Sequence, residues 1–211
     1  MKTETLIRAL AADAGRPVLA IGPLLGAALA AGTMGSIVLF VLFLRPRPDF
    51  ALALQDLDLP LKLTIVACLA ISAARSLAAL ARPLARAAIS RGLAAAPLLL
   101  LLAVVFELVT MPAGSGLARL VGQNAFHCIT LIPLLALMPG VFLMIALKHC
   151  APANPGIAGA FAGLAASGIG ASLYALSCPE DSPLFVATWY SLAIAVFTAL
   201  SFLAGRRWLR W

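Results

Sequence analysis

A thiol, two carboxylates and two prolines meet in one short polar stretch near the C-terminus, Ser177-Cys178-Pro179-Glu180-Asp181-Ser182-Pro183. Upstream, a second thiol stands beside an imidazole at His127-Cys128. Two such thiols support a thiol-reactive or redox switch, a plain structural disulfide, or a soft-metal site of thiolate and imidazole. They can also be unpaired cysteines that pack as small hydrophobes. The remaining cysteines, Cys68 and Cys150, form no C-x-x-C pair, and the two histidines lack zinc-finger spacing, so a finger-type zinc site is not expected. Neighbouring residues on a helix point apart, which makes His127 a polar interface residue rather than a partner of Cys128. Which chemistry the thiols perform depends on the compartment they face, and the elements that carry them decide that.

Those elements are membrane spans. Of the 211 residues, 63% are hydrophobic and 11% charged, and the mean hydropathy is +1.06, far from the charged surface of a soluble domain. Six apolar runs of spanning length follow one another, at 18–44, 61–80, 93–110, 126–147, 156–176 and 184–205. Backbone groups in hydrocarbon must be satisfied internally, and the runs are continuous rather than alternating, so helices are predicted and a barrel is excluded. The expected fold is all-α, a polytopic bundle of six transmembrane helices with both termini cytoplasmic.

Orientation follows from the basic residues. Of fifteen Lys and Arg, only Arg45, Arg47, Lys62 and Arg119 fall on one side when both termini share the other. The richer side is the cytoplasm by the positive-inside rule. The net charge of +7 is therefore read as a topology signal, and no direct nucleic-acid partner is expected. Cys128 and Cys178 then both lie at the outer face, where an oxidising compartment permits a disulfide if the backbones approach closely enough. Cys68 and Cys150 cannot readily reach them.

Three domains are expected: a cytosolic amphipathic segment at 1–17, a transmembrane domain at 18–205 and a short basic tail at 206–211. In the first, Leu6, Ile7 and Leu10 share a helical face and Asp13 closes it. The fifth span carries Gly156, Gly159, Gly163, Ser167 and Gly170 in one stripe, which predicts close helix packing within the bundle, with a homo-oligomer as the alternative. Gly22 and Gly26 offer a second such site. Pro133 and Pro139 mark the fourth span as the candidate bent element. Trp189 and Tyr190 read as interfacial anchors, and Glu107 as an acid that snorkels to the outer interface. Catalytic triads, phosphate loops and paired carboxylates are absent from the sequence, so neither an enzyme nor a cofactor is expected.

The run Cys178-Pro179-Glu180-Asp181-Ser182-Pro183-Leu184-Phe185-Val186-Ala187-Thr188-Trp189-Tyr190 resembles the signature of the NrsF family of six-span membrane anti-sigma factors. Asn124 to Cys128 with Ile132-Pro133-Leu134-Leu135, Arg47-Pro48-Asp49 with Lys62, and the segment Leu6 to Asp13 are similar to it as well. The resemblance implies a bacterial inner-membrane protein that sequesters an extracytoplasmic-function sigma factor. It also implies that Cys128 and Cys178 sense metal or oxidative stress, that they are the candidate metal ligands, and that the N-terminal segment, Leu6, Ile7, Leu10 and Asp13, contacts the sigma factor. The competing readings are a small membrane transporter and a thiol-disulfide oxidoreductase. The first would want a polar site at the midplane and the second a bound quinone or a relay pair.

Overall fold

A computed structural model describes residues 3–4, 21–81, 92–111, 116–150 and 152–209. Within them every regular element is helical. Six helices are long and apolar enough to cross a membrane: Ile21–Phe43, Asp58–Leu80, Gly92–Thr110, Arg119–Lys148, Pro155–Ala175 and Pro183–Trp208. These are the six spans read from the sequence, with starts and ends moved by a few residues. The segment holding Leu6, Ile7, Leu10 and Asp13 lies outside the described residues, as do Arg82 to Arg91, Arg210 and Trp211.

The fifth span is the axis of the bundle. In its most apolar window 61% of the residues are buried, against 17% for the third span, which lies at the periphery. Small side chains explain this position. A Cβ added at Gly159 would stand 2.5 Å from the Ser201 carbonyl oxygen, one at Gly170 2.7 Å from that of Ile132, and one at Gly168 2.9 Å from the Ala70 backbone. The stripe therefore seats the sixth and fourth spans against one helix, Gly168 beside it admits the second, and these contacts are within the bundle. The first span behaves differently from expectation: Gly22 and Gly26 face open space. Its close approach comes one to two turns later, where Gly32 lies directly against the backbone of Pro139.

That contact has a chemical reason. Pro139 has no N–H, so the carbonyl of Leu135, one turn earlier, lacks its helical partner. Ser36 of the first span supplies it, donating through Oγ to Leu135 O at 2.6 Å. In hydrocarbon, an unpaired carbonyl is costly, and a serine on a neighbouring helix is a standard remedy. The helix Ala125–Lys148 runs unbroken through both of its prolines.

Apolar residues gather in two main clusters at opposite ends of the bundle. One contains Phe40, Val66, Ile132, Phe185 and both Cys128 and Cys178. The other contains Leu25, Leu77, Leu143, Leu147 and Cys150. The two thiols of interest thus share a compact core, and Cys150 is far from it in the fold.

Candidate functional site

Cys128 lies in the first turn of the fourth span, and Cys178 follows the C-terminal turn of the fifth, its N–H bonded back to Tyr174 O at 3.0 Å. The Ile132–Gly170 contact brings these helix ends together, and the two cysteines lie in one buried cluster. Both cysteines are free thiols, and both are closed off from solvent, with exposures of 0% and 2%. Tyr174 is buried in the same cluster. The Tyr190 hydroxyl is buried against the same pair, without a partner at hydrogen-bond geometry. The Tyr174 and Tyr190 rings lie tilted at 47° with their centroids 5.8 Å apart.

The polar segment 177–183 is tied down from four sides. From the second span, Lys62 sends its ammonium to Asp181 Oδ1 at 2.7 Å and to the carbonyls of Cys178 and Glu180, each at 3.1 Å. Its Nζ also sits 5.7 Å from the Tyr190 ring centroid, within cation–π range. From the loop after the first span, Arg47 donates to Asp181 and, through Nε and Nη2, to Asp49. The backbone N–H of Arg47 meets Leu176 O at 3.2 Å, satisfying a carbonyl at the end of the fifth span. From the third span, Glu107 accepts Ser182 Oγ at 2.7 Å and Leu184 N at 2.9 Å. From the break between the helices Gly116–Val121 and Ala125–Lys148, Gln123 N donates to Glu180 Oε1 at 3.2 Å.

Several sequence expectations change here. Glu107 does not snorkel: it is 6% exposed, paired with Arg119 at 3.0 Å, and accepts the orphan Leu184 N–H at the start of the sixth span. A carboxylate at a helix N-terminus also complements the positive end of the helix dipole. Tyr190 is core rather than anchor, at 1% exposure, and Trp189 turns inward to donate through Nε1 to Leu120 O at 2.8 Å. A π turn over Val186–Tyr190 sets the register that turns these rings inward. His127 is exposed while Cys128 is buried, as adjacent helix positions about 100° apart allow. Among the described residues no group of three or more His, Cys, Asp and Glu is placed to hold a metal ion. A metal at Cys128 and Cys178 would have two protein sulfurs as its ligands.

Lys62 and Tyr174 have roles that sequence reading did not assign. The signal for Lys62 was a cation inside the first turns of an apolar helix, where it is costly unless paired. For Tyr174 there was none.

Electrostatics divides the cysteines. The hydrogen bond from the Cys128 thiol, reinforced by the Lys62 ammonium, holds the Cys178 thiol down to about 6, against the burial that would raise it. At the opposite end burial alone pushes the Cys150 thiol up, which leaves it inert. In the loop, the Arg47 hydrogen bond pulls the Asp49 carboxyl down to about 2. Arg47 itself is raised, chiefly by Asp49.

A chain with a buried thiol pair at one end of a six-span bundle has relatives. The family profile described as "Negative regulator of sigma F" matches residues 10–211. The "Anti-sigma-F factor NrsF" of Caulobacter vibrioides (strain NA1000 / CB15N) is 32% identical over 220 residues, covering the whole of both chains. The "Probable anti-sigma-F factor NrsF" of Azospira oryzae (strain ATCC BAA-33 / DSM 13638 / PS) is likewise 32% identical over 221 residues, again across both chains in full. No solved structure matches the chain. With a profile match from residue 10 to the C-terminus and full-length relatives of the same description, the chain belongs to the NrsF family of anti-sigma factors, negative regulators of sigma F.

Proposed function

We propose that this anti-sigma factor holds an extracytoplasmic-function sigma factor at the bacterial inner membrane and releases it when Cys128 and Cys178 react on the periplasmic side. Both termini are cytoplasmic in this reading, as the Lys and Arg distribution favours. The sigma factor is gripped by the N-terminal segment, with Leu6, Ile7 and Leu10 in an apolar groove and Asp13 beside them. The observation that carries the reading is the thiol pair itself: two free cysteines from different helices in one buried core, where oxidation or metal ligation acts on the packing of both helix ends.

A route to the cytoplasm is available through the packing. Cys128 sits at the start of the fourth span, whose middle is locked to the first span by Ser36 and Gly32. The first span follows directly on the N-terminal segment. The fourth and fifth spans also share the short Lys148 to Pro155 connection. A thiol state that favours a different angle between these helices biases both routes, and coupling requires only that the two states differ in free energy between arrangements.

Replacing Cys128 or Cys178 by serine and measuring sigma-factor release from the membrane fraction after an oxidant or a thiophilic metal tests the reading. Loss of release in both variants is the expected result. Unchanged release in both removes the thiols from the mechanism. Removal of residues 1–17 should abolish co-purification of the sigma factor, and equal recovery would refute the assigned grip.

A further inference from the structure

Two features at the end of the bundle opposite the thiol pair have no part in the proposed sensing: the Gly22 and Gly26 pair, which meets nothing, and Arg75, a cation inside an apolar span. They border the same groove. Its volume is about 470 Å³, with Gly22, Gly26 and Leu29 of the first span on one side and Ala74, Arg75 and Ala78 of the second on the other. We propose that this groove holds an anionic phospholipid, its acyl chain along the glycine face and its phosphate on the Arg75 guanidinium.

Arg75 carries the inference. It stands five residues before Leu80, the last residue of its helix, which places it about 7–8 Å inside the helix end at 1.5 Å per residue. Its side chain is exposed, and among the described residues it has no carboxylate partner. The described acids other than Glu4 all stand toward the thiol end of the bundle, within 49–58, at Glu107 and at 180–181. A charged side chain at membrane depth is costly, and it is relieved by pairing or by extending to the headgroups. From this depth the guanidinium extends to the level of the lipid phosphates, whose oxygens it can bind in a bidentate pair.

The groove fits the rest of the same molecule. Its first-span wall runs from Gly22 to Thr33, about 16 Å of helix at 1.5 Å per residue and close to half of the roughly 30 Å hydrocarbon core. That is the depth of one leaflet. Leu143 of the fourth span and Ile169 of the fifth also line it, so its walls are apolar apart from Arg75 and Thr33, and the Thr33 hydroxyl is already bonded to Leu29 O at 2.7 Å. A Cβ at Gly22 or Gly26 would have no atom within 4 Å, which leaves that wall open to a chain. In the orientation favoured by the basic residues, the leaflet is the cytoplasmic one. A second copy, docked glycine face to glycine face, is the competing occupant. Two-fold pairing would bring the Arg75 side chains of both copies to one interface with no acid between them, whereas a lipid phosphate neutralises the cation that is there.

Native mass spectrometry of the full chain, delipidated in detergent and titrated with phosphatidylglycerol or with phosphatidylcholine of the same acyl chains, reads both lipid binding and oligomeric state. The parent should bind phosphatidylglycerol about fivefold more tightly than phosphatidylcholine, the contribution of roughly one basic residue at an anionic surface. R75Q should abolish that preference, and R75K should keep most of it. G26L should weaken binding of both lipids together, since the new side chain enters the groove without displacing a packed neighbour. K148Q removes an exposed cation at the same end but outside the groove, and should leave the preference as in the parent. A preference that survives R75Q, or that K148Q lowers as much as R75Q does, overturns the proposal. A dimer that G26L dissociates, with lipid binding unchanged, gives the groove to a second copy and overturns it as well. If R75Q does not fold, G26L decides, and unchanged phosphatidylglycerol binding in G26L refutes the site. None of these readouts uses the cysteines or the sigma factor, so the sensing role stands or falls separately.

Discussion

Asp181→Asn isolates the energetics that hold the polar segment to the bundle. The carboxylate accepts from Lys62 at 2.7 Å and from Arg47, and its own side chain is 16% exposed, against 1% for Lys62 and 9% for Arg47. Removing one partner of a buried ion pair costs about 3–5 kcal/mol because the other charge is left uncompensated. Two features reduce that figure here. Asp181 is partly open to solvent, and each cation keeps other acceptors, two carbonyls for Lys62 and Asp49 for Arg47. About 2 kcal/mol remains, which for a chain of this size corresponds to a fall in Tm of roughly 4–8 °C. Thermal unfolding of the purified protein in detergent, followed by circular dichroism, measures it. Asp49→Asn is the internal control, because that carboxylate is 52% exposed and bridges Arg47 from the solvent side, so its loss should shift Tm by no more than about 2 °C. Equal shifts for the two variants, or none for D181N, would refute the claim that Asp181 neutralises a buried lysine.

Other substitutions test separate parts of the argument. Ser36→Ala leaves the Leu135 carbonyl unpaired beside Pro139 and should cost about 1 kcal/mol, read as a drop in unfolding temperature that P139A relieves when combined with it. Gly170→Ala places a methyl 2.7 Å from the Ile132 carbonyl, and the fourth and fifth spans must part to admit it. A loss of about 1–3 kcal/mol is expected, together with slower disulfide formation between Cys128 and Cys178 in non-reducing mass spectrometry. Glu107→Gln halves the acceptor set at the start of the sixth span, so hydrogen exchange at Leu184 should accelerate while that at Ile194 stays unchanged.

Much of the membrane architecture was legible without coordinates because it depends on local quantities. Spanning length, continuous hydropathy and the cost of unpaired backbone in lipid dictate six helices whatever their arrangement. The glycine stripe of the fifth span was equally readable, since a face of small residues admits close neighbours and little else. The failures were of a different kind. Gly22 and Gly26 have the right spacing but meet nothing, whereas Gly32, in the Ala28, Gly32, Ser36 series that the sequence reading passed over, meets Pro139. Glu107 and Tyr190 look like interface residues by depth, and the fold buries both by covering them with the 177–183 segment and the π turn.

The candidate site divides along the same line. Residue types and their place near helix ends were enough to single out Cys128, Cys178 and the carboxylates around the second, because thiols and acids at the edge of hydrocarbon are rare and chemically consequential. Which groups touch them was not contained in the chain order. Lys62, Arg47, Glu107, Tyr174 and Tyr190 arrive from five different segments, and only helix packing brings a buried lysine onto the Cys178 and Glu180 carbonyls and Asp181. Local sequence determines what each helix is; long-range packing in a medium without water determines which charges must find one another.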